Sequence, residues 1–372
     1  MNRREATLGL AGAIGLAPLA ARAAAAKPTP KSAVAGLYAR ALVVDANLSP
    51  PLRATLPLPK ALIDIVRASG VTVCKTTLGG FNNNFEDTTS EIALVQATIE
   101  AHPDVFLQVR KAADFQIAKK TGRVGIIFSF EGADMHGGKL DNIDVFRWLG
   151  VRVMQLSYNK TSPFASGVMA DPTAGLTDLG KQAVERMNAV GVAIDLSHAS
   201  PATTDQTIAL SKLPVLITHA GCAAVHPHPR NKTDAQLRAV VAKGGVVGIY
   251  DLPYLAGPPK QPDVEVYMAH MIHALSVCGE DQVGIGSDQG MEPFDLSPEG
   301  IKAFKDDEDA RQKAGVAALE EDYRYLFVEG MNVPNRCEVI AGELLKRGYS
   351  ARVAEKVLGL NFARGFPAAW GE

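Results

Sequence analysis

Val192–Ala220, VAIDLSHASPATTDQTIALSKLPVLITHA, decides how this chain folds. Two apolar runs, VAID and PVLI, each end in a small hydroxyl residue followed by a histidine, Ser197–His198 and Thr218–His219. The polar segment between them starts at Ser200–Pro201 and reads as a helix, because Pro is pre-set for a first helical turn. Strand, helix and strand at this spacing make a parallel βαβ unit with an imidazole at the carboxyl end of each strand. In parallel barrels and open sheets, metals and ligands sit at those ends. VGIIFSF, residues 124–130, has the same form and runs straight into Glu131. A lone strand-end histidine is usually a hydrogen-bonded structural residue. Two of them with a carboxylate at an equivalent strand end make a set that suits zinc with one open position.

Outward from this unit, further apolar runs predict strands at 41–47 (ALVVDAN), 71–78 (VTVCKTTL), 151–159 (VRVMQLSYN), 244–252 (GGVVGIYDL) and 282–288 (QVGIGSD). With the three already quoted, these make eight, mostly followed by helical patterns, and near-continuous apolar strands fit a sheet covered on both faces. The expected fold is α/β, a (β/α)8 TIM barrel, with additional helices from about Pro298 to the C-terminus. The loop 162–177, SPFASGVMADPTAGLT, is long and rich in small residues, as lids and substrate loops are. His270 and His273 lie at i and i+3 of a helix away from the strand tips and read as packing or surface residues.

The chain has 372 residues, 47% of them hydrophobic and 21% charged, with a formal net charge of −2. That balance gives no footprint for nucleic acid or an anionic membrane. Cys74, Cys222, Cys278 and Cys337 form no CxxC pair, which excludes a zinc ribbon. Residues 1–26 combine Arg3–Arg4, a weakly apolar Gly/Ala core and an Ala-rich end; they read as a twin-arginine-like export signal, so the expected compartment is the periplasm. Residues 27–40 read as a linker and 41–372 as one barrel domain, with no membrane span once the signal is removed.

SFEGAD around Glu131, GVRVMQLSYN, GLTDLGKQAVERMNAVGVAIDLSH, PVLITHAG, HPRN at Arg230, GGVVGI, VGIGSD at Asp288 and GLNFARGF occur in this order along the chain. In these segments the sequence resembles the renal (membrane) dipeptidases, peptidase family M19, among the amidohydrolase-type metal barrels. The resemblance implies a two-zinc site in which Glu131 bridges the ions and His198 and His219 hold the second. It also implies that Arg230 meets a substrate carboxylate and that Asp288 lies beside the attacking water. Family members are often homodimers.

The departures from that pattern fall at two strand ends. Where the family has a His-x-Asp pair for the first metal, this chain has Asn47 and Ser49, and neither is a good zinc ligand. Where the family has a histidine after strand four, this chain has Tyr158, which can offer one hydrogen bond to a developing oxyanion. The expectation is therefore a secreted hydrolase with one zinc on Glu131, His198 and His219. Its small-molecule substrate would be a dipeptide or related amide ending in a carboxylate, with Asp288 as the proton-transfer group and Tyr158 supporting it. The alternatives are a barrel that has become a binding or accessory protein, and a tailoring enzyme that uses the same pocket for another reaction.

Overall fold

Each apolar run of the sequence becomes one stave of a closed barrel. The computed structural model describes residues 30–80, 84–317 and 323–372. Eight strands among them stand in chain order: β1 Val44–Asp45, β2 Val73–Thr77, β3 Val124–Phe130, β4 Val151–Met154, β5 Ala193–Ile194, β6 Ile217–Ala220, β7 Val247–Ile249 and β8 Val283–Ile285. All pair in parallel with their neighbours, and β8 returns to β1 through Asp45 and Ile285. The seam between β5 and β6 is closed by the pairing of Asp195 with Leu216. There the Leu216 N–H donates to Ile194 O and the Leu196 N–H donates to Leu216 O.

Alternation along the strands sorts side chains between two packed layers. Val44, Val73, Ile127, Val153, Ala193 and Leu216 point into the lumen, whereas Cys74, Ile126, Ile194 and Ile217 face the surrounding helices. The helix Asn361–Trp370 sends Phe362, Phe366 and Trp370 into the lumen at the end where the strands begin, and so forms its floor. Around Thr218 the staves approach very closely. A Cβ on Gly286 would fall 1.8 Å from the Thr218 carbonyl oxygen, and one on Gly248 would fall 2.0 Å from it. Only glycine fits at either position.

The unit that organised the sequence reading folds as expected, with the helix Pro201–Leu210 between β5 and β6 capped by the Ser200 hydroxyl, which accepts from Thr203 N. Thr177 caps the helix Asp178–Val190 in the same way. Three features differ from expectation. Residues 30–40, read as linker, form a helix (Pro30–Arg40) that buries Leu37 and Tyr38. A short strand Phe106–Gln108 pairs with β3 outside the ring and is followed by a helix, Ala113–Thr121. The loop 162–177 is pinned rather than free: Val168 N donates to His198 O and Met169 N to Asn159 O. The expected export signal, 1–26, lies outside the described residues. Among those described, no helix is long and apolar enough to cross a membrane. All four cysteines are buried free thiols.

His136 sits behind β3 against the edges of Phe130, Phe146 and Phe164, and neither ring nitrogen has a hydrogen-bond partner among the described residues. Burial pushes its imidazole down to about 4. An unfolded imidazole titrates near 6.5, so as pH falls from about 6.5 the unfolded chain takes up the proton first. Stability is then lost progressively until about pH 4, by up to ~3 kcal/mol. His136→Phe removes this penalty: its melting temperature should exceed the wild type's by a margin that widens below pH 6.5. A margin that stays constant between pH 7 and pH 4.5 contradicts the assignment.

Candidate metal centre

At the carboxyl end of the barrel, β3, β5 and β6 deliver Glu131, His198 and His219 to one point. Their ligand atoms all lie within 4.8 Å of one another. His198 Nε2 and His219 Nε2 are 3.1 Å apart, and His198 Nε2 is 3.8 Å from Glu131 Oε2.

The neighbours of each ring fix which nitrogen carries the proton. Asn159 donates through Nδ2 to the Val316 carbonyl, which turns its Oδ1 toward His198 Nδ1 at 2.8 Å, so His198 donates from Nδ1. Thr218 gives its one hydroxyl proton to Asp195 Oδ2 at 2.6 Å; its oxygen therefore accepts from His219 Nδ1 at 2.8 Å. Both Nε2 atoms are left as bare lone pairs facing each other. Burial, followed by the charge of Arg230, holds both imidazoles well below their usual range and so neutral. Two neutral histidines with Nε2 turned inward at 3.1 Å match the spacing expected on one tetrahedral zinc, where Zn–N is about 2.0–2.1 Å. The donor set fits such an ion, and the Asn159 and Asp195–Thr218 contacts are the outer hydrogen bonds that orient metal-binding imidazoles.

The positions flanking this set are filled by the chain itself. Asn47 Nδ2 donates to Glu131 Oε1 at 2.8 Å and to Asp288 Oδ1 at 2.7 Å, and Thr77 Oγ1 donates to Glu131 Oε1 at 2.7 Å. Ser49 is exposed, in a short pairing of Leu48–Ser49 with Gln289–Gly290. That pairing holds Asp288 beside Asn47: the Asp288 N–H donates to Asn47 O at 2.7 Å, with the Asp288 backbone in the left-handed region at φ 60°. A non-glycine residue in that region is strained, and here the surrounding contacts hold it at a site. Asp288 Oδ2 lies 4.0 Å from His219 Nε2. Burial and the neighbouring Glu131 carboxylate push Asp288 up to about 7.

A cleft opens beside the ligands at His198, lined by Tyr158, Asn159, His198, Arg230, Tyr254 and Asp288, and also by Asp307, Glu308 and Arg311. Arg230 is 1% exposed, and neither terminal guanidinium nitrogen has a hydrogen-bond partner among the described residues. A buried, unpaired guanidinium is costly unless an anion meets it. Tyr158 lays its ring on His198, with centroids 4.2 Å apart, and its hydroxyl is 3.4 Å from Arg311 Nη2. His270 and His273 take no part. His270 accepts from Cys222 N and donates to Leu255 O, while His273 pairs with Asp234.

A family model described as "Membrane dipeptidase (Peptidase family M19)" matches residues 35–312. The chain belongs to the membrane dipeptidase family. Among curated proteins it is similar to dipeptidase tcpJ of Claviceps purpurea, 27% identical over 76% of this chain and 59% of that protein. It is also similar to dipeptidase verJ of Clonostachys rogersoniana, 28% identical over 74% of this chain and 63% of that protein. The chain thus spans about six-tenths of the length of these relatives. Among solved structures, an amidohydrolase from Pseudomonas aeruginosa superposes with a TM-score of 0.79 at 27% identity, covering 91% of this chain and 99% of that one. A metallopeptidase from Rhodobacter sphaeroides, solved with a phosphinate mimic of L-Ala-D-Ala, shares the fold at 20% identity and a TM-score of 0.70, covering 88% and 99%.

Sequence reading singled out Glu131, His198 and His219, which converge, and Asp288, Tyr158 and Arg230, which line the cleft with His198. It missed Lys75, Thr77, Asn159 and Asp195, polar residues within or just beyond apolar strands, as well as the acidic and basic residues that the helix Pro298–Ala314 carries to the cleft. A polar side chain at a lumen-facing position of an apolar strand is the signal that could have found the first two and Asp195.

Thr218→Val keeps the volume and removes the hydroxyl that fixes His219. Zinc affinity in chelator competition should fall 10–100-fold, the usual effect of losing such an outer contact, whereas Thr218→Ser should retain it. Wild-type affinity in Thr218→Val would refute the tautomer assignment.

Proposed function

We propose that this protein is a metal-dependent hydrolase that works with a single zinc ion on small amides ending in a free carboxylate, dipeptides foremost. The observation that carries the reading is the buried guanidinium of Arg230, with its terminal nitrogens unpaired, in the cleft that opens on His198, one of the three converging ligands. Membership of the M19 family supports the reaction class, and the donor set supports zinc.

Glu131 Oε2, His198 Nε2 and His219 Nε2 would hold the ion. When bound, zinc supplies Lewis acidity: it polarises a carbonyl and makes a nearby water a stronger acid. The rest is the work of side chains. Arg230 takes the substrate carboxylate in a two-point contact and so fixes which amide lies over the ligands. Asp288 has Oδ1 tied to Asn47 Nδ2 and Oδ2 turned toward His219. Its Oδ2 accepts the proton of the attacking water and returns it to the departing amine nitrogen. The Tyr158 hydroxyl, beside the Arg311 guanidinium, donates toward the oxygen that gains charge in the tetrahedral state.

One observation favours a second reading. The Asn47 amide bonds both Glu131 and Asp288, a contact that would also suit a barrel kept for binding after catalysis was lost. The two readings separate on metal content and turnover. Mature protein loaded with zinc should hold about one equivalent by elemental analysis and hydrolyse members of a panel of L,L- and L,D-dipeptides and N-acyl amino acids. His198→Ala should lose both ion and turnover. Full zinc occupancy with no hydrolysis across the panel defeats the amide-hydrolase reading. Arg230→Met should lower kcat/KM about 100-fold for substrates with a free carboxylate and leave their amides unaffected, since it removes one partner of a buried charge pair. We further propose export to the periplasm, supported by Arg3–Arg4 and the Ala-rich segment that follows; an Arg3→Lys, Arg4→Lys chain should stay in the cytoplasm on fractionation.

A further inference from the structure

Lys75 lies on β2, on the same face as lumen-lining Val73 and Thr77, and its side chain is wholly buried. Its ammonium lies 3.7 Å from Glu131 Oε1 and 3.8 Å from Asp195 Oδ2, and Nζ has no hydrogen-bond partner among the described residues. A charge this deep is rare unless carboxylates face it, and here two do. The position matters because of what surrounds Glu131 Oε1. That oxygen already accepts from Asn47 Nδ2 and Thr77 Oγ1, so its lone pairs are engaged, and the ammonium stands just beyond them. Oε2, on the other edge of the same carboxylate, is left to the two imidazoles. A carboxylate bridges two ions only by giving one oxygen to each. Here one edge is ligand-like, and the other is occupied by an amide, a hydroxyl and a fixed positive charge.

We infer that the Lys75 ammonium, together with the Asn47 amide, takes the electrostatic place of a second cation at Glu131 Oε1 and so limits the centre to one metal. The inference rests on the single-zinc reading and assigns it a cause. Loss of ligands at positions 47 and 49 is not sufficient: a dication brought to Oε1 would also meet a buried ammonium that has no route to solvent. Lys75 thus acts on metal number, not as a group that touches substrate.

The test is zinc stoichiometry, by elemental analysis after equilibrium dialysis, of four full-length mature proteins. These are the wild type, Lys75→Met, Asn47→His with Ser49→Asp, and the triple variant combining all three changes. The wild type should hold one equivalent, the double variant still one, and the triple variant two. A double variant that takes up two equivalents, or a triple variant that stays at one, overturns the role of Lys75. A wild type with no zinc or with two equivalents instead defeats the single-zinc reading, whatever the variants do. Lys75→Met alone gives an independent reading should the triple variant not fold. Removing a positive charge near the remaining ligands should tighten zinc about tenfold in chelator competition. Unchanged or weaker binding by a folded Lys75→Met protein, as judged by circular dichroism, also overturns the inference.

Discussion

Asp195 is the group on which barrel and site both depend. Its carboxylate accepts five hydrogen bonds: from Ser197 N, Ser197 Oγ and Thr218 N on Oδ1, and from Gln155 Nε2 and Thr218 Oγ1 on Oδ2. These donors come from β6 and from the residues that follow β4 and β5, at the seam where the backbone ring is thinnest. A fully buried carboxylate is tolerable only with such a complete set of partners. Each bond to a charged group contributes about 1.5–3 kcal/mol, and loss of the carboxylate would leave several buried donors unsatisfied together. The same oxygens that fasten the seam also take the Thr218 proton, and so decide which nitrogen His219 offers. Closure and metal chemistry are one arrangement of hydrogen bonds.

Around that hub the cleft is divided by charge. Glu131, His198 and His219 form one wall, with hydrogen-bond acceptors behind the two rings that keep both Nε2 lone pairs aimed inward. Arg230 forms the other wall, its guanidinium 5.7 Å above the Tyr250 ring and otherwise directed to the cleft. Asp288 stands between, raised toward neutrality by burial and by Glu131. On the reading proposed above, an amide laid across these walls would meet a Lewis-acid position, a proton acceptor and an anion receptor in turn. That division of labour needs no movement of the strands. It follows from where eight parallel staves end.

Most of this was legible in the sequence because strand ends announce themselves. VGIIFSFE, VAIDLSH and PVLITH each pass abruptly from β-branched apolar residues to a ligand type, and a parallel barrel has only one face on which such ends can meet. What escaped notice lies where local pattern and tertiary role diverge. Lys75 in VTVCKTTL looks like an ordinary charge in a strand, and its depth follows from which face the barrel turns inward. Asn159 and Thr218 read as a loop amide and a strand hydroxyl until the rings beside them are placed. The residues before Ala41 read as linker, yet Pro30 stands in the first turn of a helix, where proline is favoured. Ser49 stands where the family has a ligand, and the short pairing of Leu48–Ser49 with Gln289–Gly290 leaves it exposed, which its sequence does not announce.

The aromatic floor of the lumen has an implication for how the molecule comes into being. Phe362, Phe366 and Trp370 follow all eight staves in the chain, and the Phe362 ring packs directly beneath Gly284. As the polypeptide emerges from the ribosome, every side chain of the centre exists before the stopper that fills the tube beneath it. A product cut short after Asp288 would carry a full complement of ligands over an unplugged apolar hole, and so would be prey to aggregation or proteolysis rather than a reduced enzyme.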